Sequence, residues 1–105
     1  MSSDQSTVEF LSEQFAGAGS IRFRKMFGEY ALYCNDKVFA FVCDDQLFIK
    51  PTEAARSFIK EPVEKPAYPG SKMYFWITPD RWDDDEWLVS LLKAMLPTLP
   101  AKKKK

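Results

Sequence analysis

The sequence contains no histidine among its 105 residues, only two cysteines and four glycines. Without histidine the chain lacks the commonest general base and the commonest metal ligand. Two thiols fall short of the roughly four ligands of a structural zinc site, and the scattered glycines form no phosphate-binding loop. No apolar run approaches the roughly 20 residues of a membrane span, and MSSDQSTVEF lacks the basic region and apolar block of a signal peptide, so we expect none. We therefore expect a cytoplasmic, non-catalytic protein without cofactor or metal.

The charge is unevenly distributed along the chain. Apolar residues make up 46% of it, as in a globular domain, and 105 residues allow one core. The net charge is zero, but residues 102–105 are four lysines, without which 11 basic groups face 15 acidic ones, a net of −4. A net negative charge does not attract nucleic acid. We predict one domain over residues 1–101 and a disordered lysine tail at 102–105.

The most informative segment is residues 24–50, RKMFGEYALYCNDKVFAFVCDDQLFIK. Its three apolar stretches are separated by Asn-Asp and Asp-Asp pairs, the spacing of an antiparallel meander with two-residue turns. We predict strands at about 29–34, 38–43 and 46–50, after an extended piece at 21–26. This alignment places Cys34 opposite Lys37 and Cys43 opposite Gly28, too far apart for a disulfide. Both thiols are expected to be reduced.

Helical signals flank the meander. Val8, Leu11 and Phe15 predict a helix over residues 4–16, and Thr52 is the predicted N-cap of a second helix. MYFWI at 73–77 predicts a strand after an irregular connection at 61–71, and Asp83 with Glu86 predicts a capping box for the last helix. The order predicts an α+β, two-layer fold: an antiparallel four- to five-stranded sheet with a β-meander core and helices on one face.

Both faces of the predicted meander are apolar. Simple alternation assigns Ala31, Tyr33, Val38, Ala40, Val42, Leu47 and Ile49 to one face, and Tyr30, Leu32, Phe39, Phe41, Cys43, Phe48 and Lys50 to the other. A sheet with one wet side should instead alternate apolar with polar residues. The aromatic face must therefore meet another helix, a second sheet or a partner.

Charged residues allow two interpretations. Arg22, Arg24 and Lys25, interleaved with aromatic residues, resemble a phosphate-contacting arm, or they lie on a solvent-facing strand and pair with an acid such as Glu29. The acidic groups at 44–45 and 83–86 are explained by a turn and a helix N-terminus, so we predict no metal there.

Four separated segments resemble one family in order: RKMFGEYALYC, KVFAFVCDDQLFIKPTEAAR, the AYPG link and the DD-x-EWL helix start. Together they resemble the TfoX (Sxy-like) N-terminal domain over roughly residues 8–99. The resemblance implies helices on one face of a five-stranded antiparallel sheet, no catalytic residues, and an association with transcriptional activation of DNA-uptake genes alongside the cyclic-AMP receptor protein. Competence regulators carry a second, C-terminal domain, which a chain ending in PTLPAKKKK is expected to lack.

Two functions follow as hypotheses. The first is a small regulatory protein-interaction module that binds a protein, such as a transcription factor or a second copy of itself. The alternative is a DNA-binding accessory factor that uses residues 22–25 and the lysine tail. The candidate partner-binding residues are Arg22, Arg24, Lys25, Tyr30, Phe39, Phe41, Phe48 and Lys50.

Overall fold

The computed structural model describes residues 5–26, 29–66 and 70–99. Within them lie three α-helices, α1 (Gln5–Phe15), α2 (Glu53–Ile59) and α3 (Asp85–Met95), and six strands, β1 (Ile21–Met26), β2 (Glu29–Cys34), β3 (Lys37–Cys43), β4 (Gln46–Ile49), β5 (Val63–Pro66) and β6 (Met73–Ile77). The predicted α+β class is confirmed. The predicted boundary at residue 101 and the lysine tail lie outside the described residues. No described helix is long and apolar enough to cross a membrane.

All six strands form one antiparallel sheet in the order β1-β2-β3-β4-β6-β5. The predicted count of four or five strands was too low because β5 was assigned to an irregular connection. Pro66 ends β5, and an edge strand tolerates proline because one side of its backbone needs no partner. Pairing with the apolar strand β6 orders residues whose own sequence has little strand propensity.

Both predicted two-residue turns are present. Asn35 and Asp36 have φ of 53° and 68°, and Asp44 and Asp45 have φ of 54° and 58°. Positive φ at both central residues is the turn that matches the twist of a hairpin, and Asn and Asp tolerate it best after glycine. These residues therefore fix the β2–β3 and β3–β4 hairpins.

A β-bulge interrupts the pairing of β2 with β3. Cys34 lies opposite Lys37 as predicted, but the register shifts between Leu32 and Tyr33, so that Tyr30 pairs with Val42. The predicted position of Cys43 opposite Gly28 is therefore wrong by one residue. Phe39 is the extra residue on β3. The bulge moves it to the helical side of the sheet.

The core lies between the three helices and one sheet face. Val8, Leu11 and Phe15 of α1 are buried as predicted, and the Phe39 ring meets Phe15 edge-on with centroids 4.9 Å apart. Buried residues of every described helix and of β2, β3, β4 and β6 form one cluster, namely Val8, Leu11, Phe15, Tyr30, Leu32, Cys34, Phe39, Ala40, Val42, Leu47, Ile49, Ala55, Phe75, Ile77, Leu88, Leu91, Leu92, Met95 and Leu99. Neither cysteine is disulfide-bonded, as predicted, and both are buried.

The helix caps agree with the sequence at α2 but not at α3. Thr52 Oγ1 accepts a hydrogen bond from the Ala55 N–H at 3.1 Å. The N-cap of α3 is Asp84, whose Oδ1 accepts from the Trp87 N–H at 3.1 Å, so the prediction of Asp83 was wrong. The reason is a preceding turn, in which the Asp84 N–H donates to the Arg81 carbonyl at 3.1 Å and delays the helix by one residue.

Two backbone positions are tightly constrained. Lys60 has φ 78° and ψ −58°, and the Glu61 N–H donates to the Ile59 carbonyl at 2.9 Å. These values describe the rare, strained γ-turn with positive φ. Gly19 lies so close to Cys34 that a Cβ at that position would be 2.9 Å from the Sγ atom.

Candidate functional site: the open face of the sheet

The side of the sheet opposite the core carries none of the described helices. All three helices contribute their buried residues to the other side, whereas buried Ala31, Cys43 and Phe48 are not part of the core cluster. We call this side the open face. The strand register assigns to it Arg22, Arg24, Ala31, Tyr33, Val38, Phe41, Cys43, Phe48, Val63, Lys65, Tyr74 and Trp76.

Aromatic side chains cover the centre of the open face. The rings of Phe41 and Tyr74 meet edge-on with centroids 5.5 Å apart. Strand β4 lies between their strands, so the rings reach across it, and Phe48 beneath them is only 2% exposed. Beside them the Lys65 ammonium lies 4.1 Å from the centroid of the Trp76 ring, a cation–π contact. The result is a layer of half-buried rings one side chain thick.

The Trp76 indole N–H is an unsatisfied donor within this layer. It is buried and has no hydrogen-bond partner among the described residues. A buried donor without an acceptor is costly, so native structures rarely contain one. The described residues therefore do not supply the hydrogen-bond acceptor that the Trp76 indole needs.

The predicted partner-binding residues divide between the two sides of the sheet. Phe41 and Phe48 lie on the open face, and Lys50 follows β4, where its N–H donates to the Phe39 carbonyl at 2.9 Å. Tyr30 and Phe39 are 4% and 0% exposed within the core, so their assignment to an aromatic outer face was wrong. The bulge is the physical reason, because it reverses the alternation of β2 relative to the second half of β3.

Sequence reasoning missed seven residues of the open face, namely Ala31, Tyr33, Val38, Val63, Lys65, Tyr74 and Trp76. Tyr33 was assigned to the other side by the undetected bulge. Val63 and Lys65 belong to the strand that was not predicted. The segment MYFWI did indicate a strand, but nothing in its sequence shows which of its alternating rings face the helices.

The basic residues of β1 do not form a single arm. Arg22 and Arg24 lie on the open face, whereas Lys25 pairs in register with Tyr30 and lies on the helical side. Arg22 Nη1 is 3.6 Å from Asp36 Oδ1, with both side chains about 70% exposed (73% and 70%). An exposed pair of this kind contributes little to stability. The predicted ion pairing of an arginine is thus present, with Asp36 as the acid.

Charges surround the aromatic layer in an ordered way. Arg22 and Arg24 lie along the β1 edge of the open face, and Lys65 lies on β5 at the opposite edge. The acidic residues Asp44 and Asp45 form the β3–β4 turn at one end of the strands, the same end at which Glu29 begins β2. Cations therefore flank the sides of the face, and three carboxylates lie at one strand end, whereas Asp36 lies at the opposite end and pairs with Arg22.

The family pattern described as TfoX N-terminal domain matches residues 13–97, which include every strand of the sheet. The chain belongs to this family. An uncharacterized 12.7 kDa protein in the trpE 5′ region of Spirochaeta aurantia is 38% identical over 103 residues, 98% of this chain and 89% of that protein. Protein Sxy of Escherichia coli (strain K12) is 30% identical over 90 residues, 80% of this chain but only 43% of Sxy. The TfoX N-terminal domain thus corresponds to less than half of Sxy.

The thiols of this TfoX N-terminal domain are not poised for catalysis. Burial, followed by the charge and hydrogen bond of Glu29, raises the pKa of Cys43 from 9.0 to about 12. Burial also raises the pKa of Cys34, partly offset by the charge of Lys37. A nucleophilic cysteine needs a lowered pKa, so neither thiol has the required environment.

A groove of about 540 Å³ lies at the end of β6, between the end of α2 and the start of α3. Its rim carries Lys60 and Arg81 but also Glu61 and Asp80, so it does not select a ligand by charge. The pKa of Asp80 is lowered, mainly by a hydrogen bond from Thr78. Among the described residues there is no group of three or more potential metal ligands.

Proposed function

We propose that this TfoX N-terminal domain is a non-catalytic protein-interaction module that acts in regulation and binds a protein through the open face. The observation that carries the proposal is the aromatic layer on a sheet face that none of the described helices covers. Family membership is consistent with a regulatory role, since the family is competence-regulator-like.

The composition of the open face favours a protein partner. An antiparallel sheet that faces water normally alternates apolar with polar residues. Phe41, Tyr74 and Trp76 stand here where polar side chains would be expected, and Val63 is 51% exposed. Large aromatic side chains, tryptophan and tyrosine above all, are enriched in the energetically dominant parts of protein interfaces. Covering them would remove apolar area from water at about 25 cal/mol per Å².

The DNA-binding alternative rests on Arg22 and Arg24, which share the open face. Lys25 lies on the other side of the sheet, so only two of the three cations of residues 22–25 share the open face. One of these two, Arg22, is paired with Asp36. If duplex DNA is the ligand, its affinity should fall steeply between about 50 and 200 mM salt because phosphate contacts release counterions. A fluorescence-anisotropy titration with duplex DNA distinguishes this alternative.

The proposed function is tested by a pair of Phe→Glu variants. Phe41→Glu places a charge in the centre of the open face, whereas Phe10→Glu places the same charge on the outer side of α1, where Phe10 is 39% exposed. Each variant and the unmodified chain are used for quantitative affinity purification from the source organism, with thermal melts to verify folding. Any captured protein is then tagged and used for reciprocal capture.

The expected result is at least one protein that binds the unmodified chain and Phe10→Glu but not Phe41→Glu. The proposed function is contradicted if no captured protein, including untagged copies of the chain itself, depends on Phe41. If Phe41→Glu does not fold, Tyr74→Glu, on an outer part of the same layer, replaces it.

A further inference from the structure

We infer that the open face binds a second copy of this chain, with the strands of the two sheets nearly perpendicular. The inference rests on the proposed function, because it names the occupant of the same surface. It follows from the size of the open face and from the arrangement of charges around it.

The open face is large enough for a weak, specific dimer. Six strands spaced by about 4.8 Å span roughly 24 Å, and strands of this length extend about 13–23 Å at 3.3 Å per residue. Two such faces in contact would bury on the order of 1,000 Å² in total, which is the lower limit for a specific interface. We therefore expect a dissociation constant in the micromolar range.

The charges around the aromatic layer exclude packings in which the strands of the two copies are aligned. A twofold axis parallel to the strands would place the β1 edge of one copy over the β5 edge of the other, so that Arg22 would face Lys65. The same axis would superpose the two acidic strand ends. An axis perpendicular to the strands would place the two β1 edges together, arginine against arginine. Like charges in such contact oppose association.

A twofold axis at about 45° to the strands removes these repulsions, since strands related by it cross at nearly 90°. The β1 edge of each copy then lies over the acidic strand end of the other. Arg24 faces Asp44 and Asp45 across the interface, and it does so twice because the contact is symmetric. Orthogonal packing of this type is one of the two common arrangements of stacked sheets. The charges therefore select the orientation, and the rings supply the buried area.

Analytical ultracentrifugation over about 5–500 µM tests the inference, because this range brackets micromolar dissociation constants. Arg24→Glu should weaken the dimer at least about tenfold, since two opposite-charge contacts become repulsive. Lys93→Glu, the same charge reversal on the exposed side of α3, should leave the dimer unchanged. Both residues are exposed, so both variants are expected to fold.

The orientation is tested by removing the acidic partners. Asp44→Asn with Asp45→Asn preserves the turn, because asparagine also tolerates positive φ, and neutralises part of the acidic end. In the Arg24→Glu background this pair should strengthen the dimer, whereas in the unmodified chain it should weaken it. Such a reversal of sign requires that the two groups meet across the interface. Raising salt from about 50 to 500 mM should weaken the unmodified dimer because these contacts are screened.

The inference is overturned if the chain is monomeric at the highest concentration, or if it dimerises without sensitivity to Arg24. Additive effects of Arg24→Glu and the asparagine pair would refute the perpendicular arrangement. A monomer that still binds another protein through Phe41 refutes the self-association and leaves the proposed function intact. A monomer that binds single-stranded nucleic acid on this face refutes both.

Discussion

The β-bulge predicts that two phenylalanines two residues apart differ sharply in their contribution to stability. Phe39 is fully buried, and its ring packs edge-on against Phe15 at 4.9 Å. Truncating a buried phenylalanine to alanine typically costs about 3–5 kcal/mol, of which an edge-on ring pair supplies about 0.5–1.5. Phe39→Leu retains part of the volume but loses the ring contact, so we expect a loss of about 1.5–2.5 kcal/mol.

Phe41→Leu is the matched control, because Phe41 is half-buried in the open face and lies outside the core cluster. We expect it to lower the free energy of unfolding by about 0.5–1.5 kcal/mol, less than Phe39→Leu, since it loses the ring contact with Tyr74 but part of its ring is already in water. Urea unfolding followed by tryptophan fluorescence measures both variants, at a protein concentration below the expected dimer range. Simple alternation would give the two residues the same environment. Equal losses, or a larger loss for Phe41→Leu, would therefore refute the assigned bulge.

Four further outcomes follow from individual positions. Gly19→Ala should lower the free energy of unfolding by about 1–3 kcal/mol, since the new Cβ would lie 2.9 Å from the buried Cys34 sulfur. An unchanged melting temperature in thermal unfolding would show that Cys34 can move away at no cost. Lys60→Gly should instead stabilise it by about 1 kcal/mol by relieving the positive-φ turn, and a lower melting temperature would contradict this. Asp84→Ala should lower the free energy of unfolding by about 1 kcal/mol and Asp83→Ala by much less, because Asp84 and not Asp83 caps α3. Equal losses would instead support a capping box that begins at Asp83. The pKa of the Cys43 thiol is raised from 9.0 to about 12, so at pH 8 this thiol should react with iodoacetamide about a thousandfold more slowly in the native protein than in urea. Its contribution to stability should be lost as the pH rises from about 9 to 12. Rapid labelling of Cys43 in mass spectra of the native protein would disprove its burial.

The strand boundaries of the meander could be predicted because their determinants are local. Asparagine and aspartate tolerate positive φ better than other residues that have a side chain, so Asn35-Asp36 and Asp44-Asp45 predicted the hairpins without knowledge of the rest of the fold. Val8, Leu11 and Phe15 likewise identified the buried side of α1 from their spacing alone. These features need no knowledge of tertiary contacts.

The composition of the open face could not be predicted because it depends on non-local contacts. An extra residue in β3 has no sequence signature, yet it decides on which side Phe39 and Tyr33 lie. Strand β5 exists because β6 offers it hydrogen-bond partners, not because VEKP favours extended structure. The notion of an uncovered aromatic face was therefore a sound prediction, but half of its predicted aromatic members belong to the core.

The two edges of the sheet bear on aggregation. An open sheet exposes unpaired backbone groups at its outer strands, and these groups can template the addition of further strands from other molecules. Here β1 carries Arg22, Arg24 and Lys25 in alternation with apolar residues, and β5 ends in Pro66 after Glu64 and Lys65. Charges and proline on outer strands oppose lateral extension into fibrils. Association at the edges, which would be unlimited, is thereby opposed, whereas the pairing of open faces that we propose would end at two copies.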